Sequence, residues 1–235
     1  MTVLHLADEG EAADLAAFLS RLLHYDRSAA VRLQAAGTAL AVFGRPPSFE
    51  VLAVRAVGLA KPYESGLDVT LDVTVSAGEL LEGVAETAAT AAVPIAVTGP
   101  PWAGVLPPRG DWRPEAGLPA AGELRAMVGA AVGEFRRRTE ELAPERRTRA
   151  ELDRIGRDIW SRTVGDTGLP VRAVHAAQSL GFLRPTAGPA AAGGTRGAAQ
   201  EAGLFSSGAW LRLRTPYGSI AVRRAGTGGL GLSVR

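Results

Sequence analysis

The sequence predicts an α+β fold: an N-terminal helix with a largely antiparallel sheet, a central helical segment, and a C-terminal β-hairpin that returns to the sheet. Three observations predict it. Apolar residues at helical spacing open the chain, with Leu15, Phe18, Leu19, Leu22 and Leu23 between Asp8 and Tyr25. Short runs of apolar–polar alternation follow, bounded by Gly and Pro. A second alternating hairpin stands near the end, after an Arg-rich helical stretch.

The first alternating run, Ala30 to Phe43, turns around Ala36-Gly37-Thr38, with Val31 and Leu33 before the turn and Leu40 and Val42 after it. Phe49 to Val57, opened by Pro46-Pro47, is a third strand candidate. Leu67 to Val75 alternates most regularly: five apolar residues take one side, and Asp68, Thr70, Asp72 and Thr74 the other. That is the pattern of an antiparallel strand with one solvated face. Ser76 and Glu79 have capping-box spacing, which predicts a helix from there to about Thr90. Val93 to Thr98 reads as a short buried strand, and residues 1–98 as one acidic α/β unit.

Residues 99–114, GPPWAGVLPPRGDWRP, form a hinge loop. Its five prolines exclude a continuous helix or a central strand, since each lacks an N–H and fixes φ. Trp102 and Trp112 distinguish it from a solvated linker. Residues 115–184 read as three helices. The first carries Leu124, Val128, Ala131, Phe135 and Leu142 on one stripe and breaks at Pro144; the second opens with the capping pair Thr148 and Glu151 and aligns Leu152, Ile155 and Ile159. The third opens at Pro170, packs Val171, Val174 and Ala177, and stops at Gly181.

Residues 185–203 are rich in Ala, Gly and Pro and read as a flexible loop. In the basic hairpin region, 204–235, the turn Thr215-Pro216-Tyr217-Gly218 places Leu211, Leu213, Ile220 and Val222 on a buried side. Trp210, Arg212, Arg214 and Arg223 share the other, and Leu232 to Val234 is a candidate edge strand. At an offset of 180, Val31–Val42 aligns without a gap on Leu211–Val222. The match suits two related halves, or a C-terminal hairpin that joins the N-terminal sheet; twelve residues of alternating pattern also converge by chance.

Composition bounds the chemistry. The 235 residues include no cysteine, which excludes disulfides, thiolate metal sites and Cys nucleophiles. Acidic residues from Asp8 onward leave no apolar run for a signal peptide, and no stretch is long and apolar enough to span a membrane. A cytoplasmic location is the expectation. Only Lys61 among the 26 basic residues is a lysine, the coding bias of a high-GC bacterial genome. Charge is uneven: residues 1–122 carry 8 basic and 14 acidic side chains, whereas residues 160–235 carry 9 arginines against Asp166 and Glu201. That asymmetry suits an anionic partner, or a fold in which the two ends neutralise each other.

The three histidines, His5, His24 and His175, are too scattered for a metal site. His24 beside Asp26 has acid–base potential, and Asp68 and Asp72 on one strand stand about 13 Å apart, too far to work on one bond. No phosphate loop, dinucleotide fingerprint or nucleophile elbow is present, so no cofactor or catalytic residue is expected. Two binding candidates remain. The hinge offers Trp102, Arg109, Asp111 and Trp112, as a contact surface or as the roof of an enzyme pocket. The hairpin offers Trp210, Arg212, Arg214 and Arg223, the mixture that holds phosphates and stacks bases, or a private cation–π pair between Trp210 and Arg223.

AVHAAQSLGFLRP, Ala173 to Pro185, resembles the helix-then-GLLRP segment of MerR-type regulators, without their preceding helix-turn-helix pattern. PPWAGVLPPRGDW and GLPVRAVHAAQSLGFL resemble stretches of uncharacterised actinobacterial proteins, which implies a bacterial cytosolic family and supplies no active site. The sequence thus points to a non-enzymatic binding or interaction protein. Its expected partner is another protein, with nucleic acid as the alternative; homo-oligomer formation is left open.

Overall fold

A computed structural model describes residues 2–61, 71–185 and 202–224. The expectations for 62–70, for most of the 185–203 loop and for Leu232 to Val234 lie outside these residues.

Asp8 opens the first helix by accepting the Glu11 N–H at 2.7 Å, and α1 runs Glu9–Tyr25. Its apolar stripe lies against a sheet whose strands are β2 (Ala30–Ala36), β3 (Ala39–Gly44), β4 (Leu52–Gly58) and β5 (Asp72–Ser76), joined by β8 (Arg113–Glu115), β9 (Gly203–Ser207), β10 (Trp210–Thr215) and β11 (Gly218–Arg223). The strand order is β5-β2-β3-β4-β11-β10-β9-β8, antiparallel throughout. The C-terminal hairpin does return to the N-terminal sheet, through Ser219, Ile220 and Ala221 paired with Val54, Ala53 and Leu52.

The offset of 180 does not carry over to the pairing. Leu33 faces Val42, but the aligned Leu213 faces Ile220, and Val222 faces Leu211. The first hairpin turns at Gly37-Thr38 and the second at Pro216-Tyr217, one residue earlier in the alignment. Alternation with period two matches any two strands in parity and leaves register to the turn.

One side of the sheet is the helix face. There α1, α2 (Ala77–Glu82) and α5 (Val171–Ser179) cover Val31, Leu33, Leu40, Val42, Val75, Leu211, Leu213 and Ile220, all buried in one core that spans both ends of the chain. Phe18 of α1 stacks on Phe182 at 5.7 Å, just past α5, where Gly181 takes the expected left-handed conformation at φ 77°. Helices α3 (Ala121–Glu140) and α4 (Arg149–Trp160) form the expected hairpin beside α5; Thr148 caps α4 as its spacing with Glu151 predicts.

Two expectations are corrected. Ser76 caps α2 as predicted, but the helix stops at Glu82 instead of about Thr90. Val84–Ala85 is a strand, β6, which pairs with β7 (Thr90–Ala92), and β7 pairs with β1 (Val3–His5) to make a small second sheet. At Gly83 a Cβ would stand 2.8 Å from the Ala92 carbonyl oxygen, so the close approach that turns the helix into the strand needs glycine. Val93 to Thr98 is not a buried strand: Ile95 is 86% exposed and Val97 40%.

The other side of the large sheet is crossed by the Pro- and Trp-rich stretch, which acts as a strap. At one margin the Val97 N–H donates to the Thr74 carbonyl at 2.9 Å, and Arg32 Nη1 to the Ala103 carbonyl at 2.7 Å. At the other, Ser207 Oγ donates to the Gly110 carbonyl at 3.4 Å, and the strap continues into β8. Pro114 sits on this outermost strand, the one place in a sheet where its missing N–H costs no ladder bond. Register puts Phe43, Leu52, Val54, Ser219 and Ala221 on the strap face, and all five are buried.

Candidate functional site

The strap and the C-terminal hairpin, separated by about a hundred residues, meet at Trp112. The Arg212 guanidinium lies over the Trp112 ring, 5.6 Å from its centroid, while the indole N–H donates to the Pro108 carbonyl at 2.9 Å. Arg212 also donates through Nε to Ser219 Oγ at 2.9 Å. Burial, and after it the nearby positive charge of Arg214, pulls the Arg212 pKa below the usual arginine range. Two residues along the same strand, Trp210 faces Arg223 directly across the hairpin, and that guanidinium stands 5.2 Å from the indole centroid. Arg214 and Arg223 are exposed, and Trp112, Trp210 and Arg212 are half-buried.

Charge pairing differs between this surface and the other arginine-rich region, where several arginines hold carboxylates and Arg125, Arg136 and Arg157 hold none among the described residues. In the α3–α4 hairpin, Arg138 and Arg162 both bind Glu134 and Asp158, while Arg137, Arg149 and Arg154 hold Glu141, Asp153 and Glu151. These contacts hold Glu134, Glu151 and Asp158 below the usual carboxylate range. By contrast, no carboxylate among the described residues pairs with Arg212, Arg214 or Arg223.

Other sequence candidates are placed apart. Trp102, in a 3₁₀ turn over Pro101–Gly104, lines an open groove of about 750 Å³ with Asp26, Arg45, Pro47, Val97 and Pro100. Arg109 and Asp111 are exposed, and Asp111 takes a left-handed φ of 60°. Asp72 is held below its usual range chiefly by Arg32 at 2.8 Å, then by Gln34, with a smaller push from the Arg109 charge. Gly110, next to Arg109, accepts from Ser207 Oγ of β9. The groove is not lined by Arg109, Asp111 or any histidine. Asp26 accepts the Ser28 N–H and Oγ at 2.9 and 2.7 Å, its own turn rather than an imidazole. No group of three His, Asp or Glu residues suited to a metal ion occurs among the described residues.

Two arrangements were not anticipated. Arg55, 4% exposed, donates to the Tyr217 carbonyl at 2.7 Å, to Glu11 at 2.8 Å and to Asp14 at 3.2 Å. Arg184 reaches Asp14 at 2.5 Å and covers the Tyr217 ring at 3.7 Å. A cavity of about 10 Å³, room for a single water, lies beside them. The signal was available: Arg55 stands in the Ala53, Arg55, Val57 parity that faces the core, where an unpaired charge is not tolerated. The second is an aromatic chain. His175 stacks on Trp160 at 4.5 Å and meets Phe49 edge-on at 5.0 Å, and Phe49 in turn meets Tyr25 at 5.3 Å. Burial holds the His175 pKa below the usual range, so the ring is neutral at pH 7.

The sequence matches two family models. One, described as Domain of unknown function (DUF8010), covers residues 1–104, and the other, described as Domain of unknown function (DUF8185), covers residues 107–227. No curated protein and no solved structure matches the chain.

Proposed function

The chain belongs to the family described as Domain of unknown function (DUF8185), whose model spans more than half of it, and we propose that it is a non-enzymatic binding protein that presents the β9–β11 end of its strap face to an anionic partner. One observation carries this reading: Arg212, Arg214 and Arg223 share a face with Trp112 and Trp210 and have no carboxylate partner among the described residues. Like charges gathered without counter-charges raise the local potential and attract an oppositely charged partner. A cytoplasmic setting in a high-GC bacterium goes with the reading, given the absence of cysteine and the near-absence of lysine.

The test is titration with heparin, inorganic polyphosphate and single-stranded nucleic acid at low and at physiological salt, with the R212A/R214A/R223A variant alongside. Binding to at least one polyanion that weakens with salt and is lost in the variant is the expected result. No binding at low salt, or equal binding by the variant, refutes it.

A protein partner is the second reading, and one observation favours it. The front of the strap exposes Ile95, Val97 and Val105 at 86, 40 and 47%, with Trp102 in the adjoining groove. Singly exposed apolar residues are ordinary, but a row of them on one segment marks a contact surface. Cross-linking that places a partner on residues 95–105 supports this reading; a partner mapped elsewhere removes it.

A further inference from the structure

We infer that the anionic partner of the strap face is a single-stranded nucleic acid, laid along β10 with its bases against the indoles; this deepens the reading above and rests on it. Three features of the surface narrow the class.

The first is spacing. Trp210, Arg212 and Arg214 project from the same side of one strand, and alternate strand residues repeat at about 6.8 Å. That pitch suits the phosphate-to-phosphate repeat of a strand whose bases are unstacked, so successive nucleotides meet an indole, a guanidinium and a guanidinium in turn. A repeating polyanion without bases would use the charges and leave the indole idle.

The second is composition. Each of the two indoles is paired with a guanidinium, Trp112 with Arg212 and Trp210 with Arg223. An aromatic plane held beside a cation gives a base a stacking surface and its phosphate a counter-charge within one nucleotide's reach. Phe205, half-buried and opposite Arg212 on β9, adds a third ring to the same face.

The third is shape. These residues lie on a face of an eight-stranded sheet that the strap crosses, and among the described residues no helix or free two-stranded ribbon projects from it. A duplex is read by an element that enters its groove, and a broad sheet face cannot. Splayed single-stranded bases need only a surface to lie on.

The experiment is anisotropy of a labelled oligothymidylate with the full chain, competed with inorganic polyphosphate and with duplex DNA. Expected are binding that falls steeply with salt, weak competition by both competitors at equal phosphate, and about tenfold loss in Trp210→Ala, the scale of one base stack. Trp210→Phe, which keeps a ring, should retain most of the binding, and thermal melts of both variants report whether the hairpin stays folded. Competition by polyphosphate as strong as by unlabelled oligothymidylate, with Trp210→Ala binding like the wild type, overturns the inference and leaves a general polyanion site. Equal binding of duplex also overturns it. Absence of binding to every polyanion removes the function proposed above as well.

Discussion

Arg55 is the point at which the two ends of the chain are tied, and replacing it with methionine measures that tie. Its guanidinium joins Glu11 and Asp14 of α1 to the Tyr217 carbonyl in the C-terminal turn, beneath β4, the strand on which β11 docks. Removing one partner from a buried ionic cluster costs about 3–5 kcal/mol, because the remaining charge is held in a site built for its counterpart. The lower end applies here. Both carboxylates are 15% exposed, and Asp14 keeps its 2.5 Å contact with Arg184. For a chain of this size about 3 kcal/mol corresponds to a fall in Tm of roughly 6–12 °C. The assay is chemical and thermal unfolding of Arg55→Met at pH 7, with Arg55→Met/Glu11→Gln as companion. The double variant should recover at least about 1 kcal/mol, since it removes a charge that has lost its Arg55 contact. A single variant within about 1 kcal/mol of wild type refutes the tie, and a loss the companion leaves unchanged assigns the effect to packing instead.

Two further predictions test the aromatic chain and the strap. His175 is kept neutral by burial, so its folded pKa lies below its unfolded one and the unfolded chain takes up the proton first. The stability this contributes is fully present above the unfolded pKa of about 6.5 and declines as pH falls through it; a wild-type melting temperature that drops between pH 7 and pH 5, with a shallower drop in His175→Phe, is the expected result. Arg32→Ala removes the 2.7 Å anchor to the Ala103 carbonyl and the pairing with Asp72, a loss of about 1–2 kcal/mol given partial exposure. Its sharper signature is faster tryptic cleavage after Arg109, on the loosened strap; an unchanged cleavage rate shows that the strap is held elsewhere.

The alternating and helical runs were legible because each depends on local periodicity and on which side of an element can be dry. Ser76 and Thr148 cap their helices, and Gly181 stops α5, through bonds and dihedral limits that span a few residues. The sharing of a face by Trp210, Arg212, Arg214 and Arg223 was likewise readable from parity alone. Short elements with little periodicity were not: three-residue β1 and β8 exist because a partner strand supplies their hydrogen bonds. Gly83, which ends α2, is one glycine among many until the Ala92 carbonyl is seen beside it.

What the sequence by itself determined is the class of each long element, the faces of its strands and the basic character of its last third. Tertiary structure alone decided that Arg212 lies on Trp112, a hundred residues distant, and that Arg138 and Arg162 share Glu134 and Asp158 while the arginines of β10 and β11 meet no carboxylate among the described residues. It also turned the proline-rich stretch into a strap across a sheet built from both ends of the chain. The reason is physical. Periodicity and capping act over a turn or a strand, whereas register between distant strands and the pairing of charges depend on which surfaces meet when one core is closed.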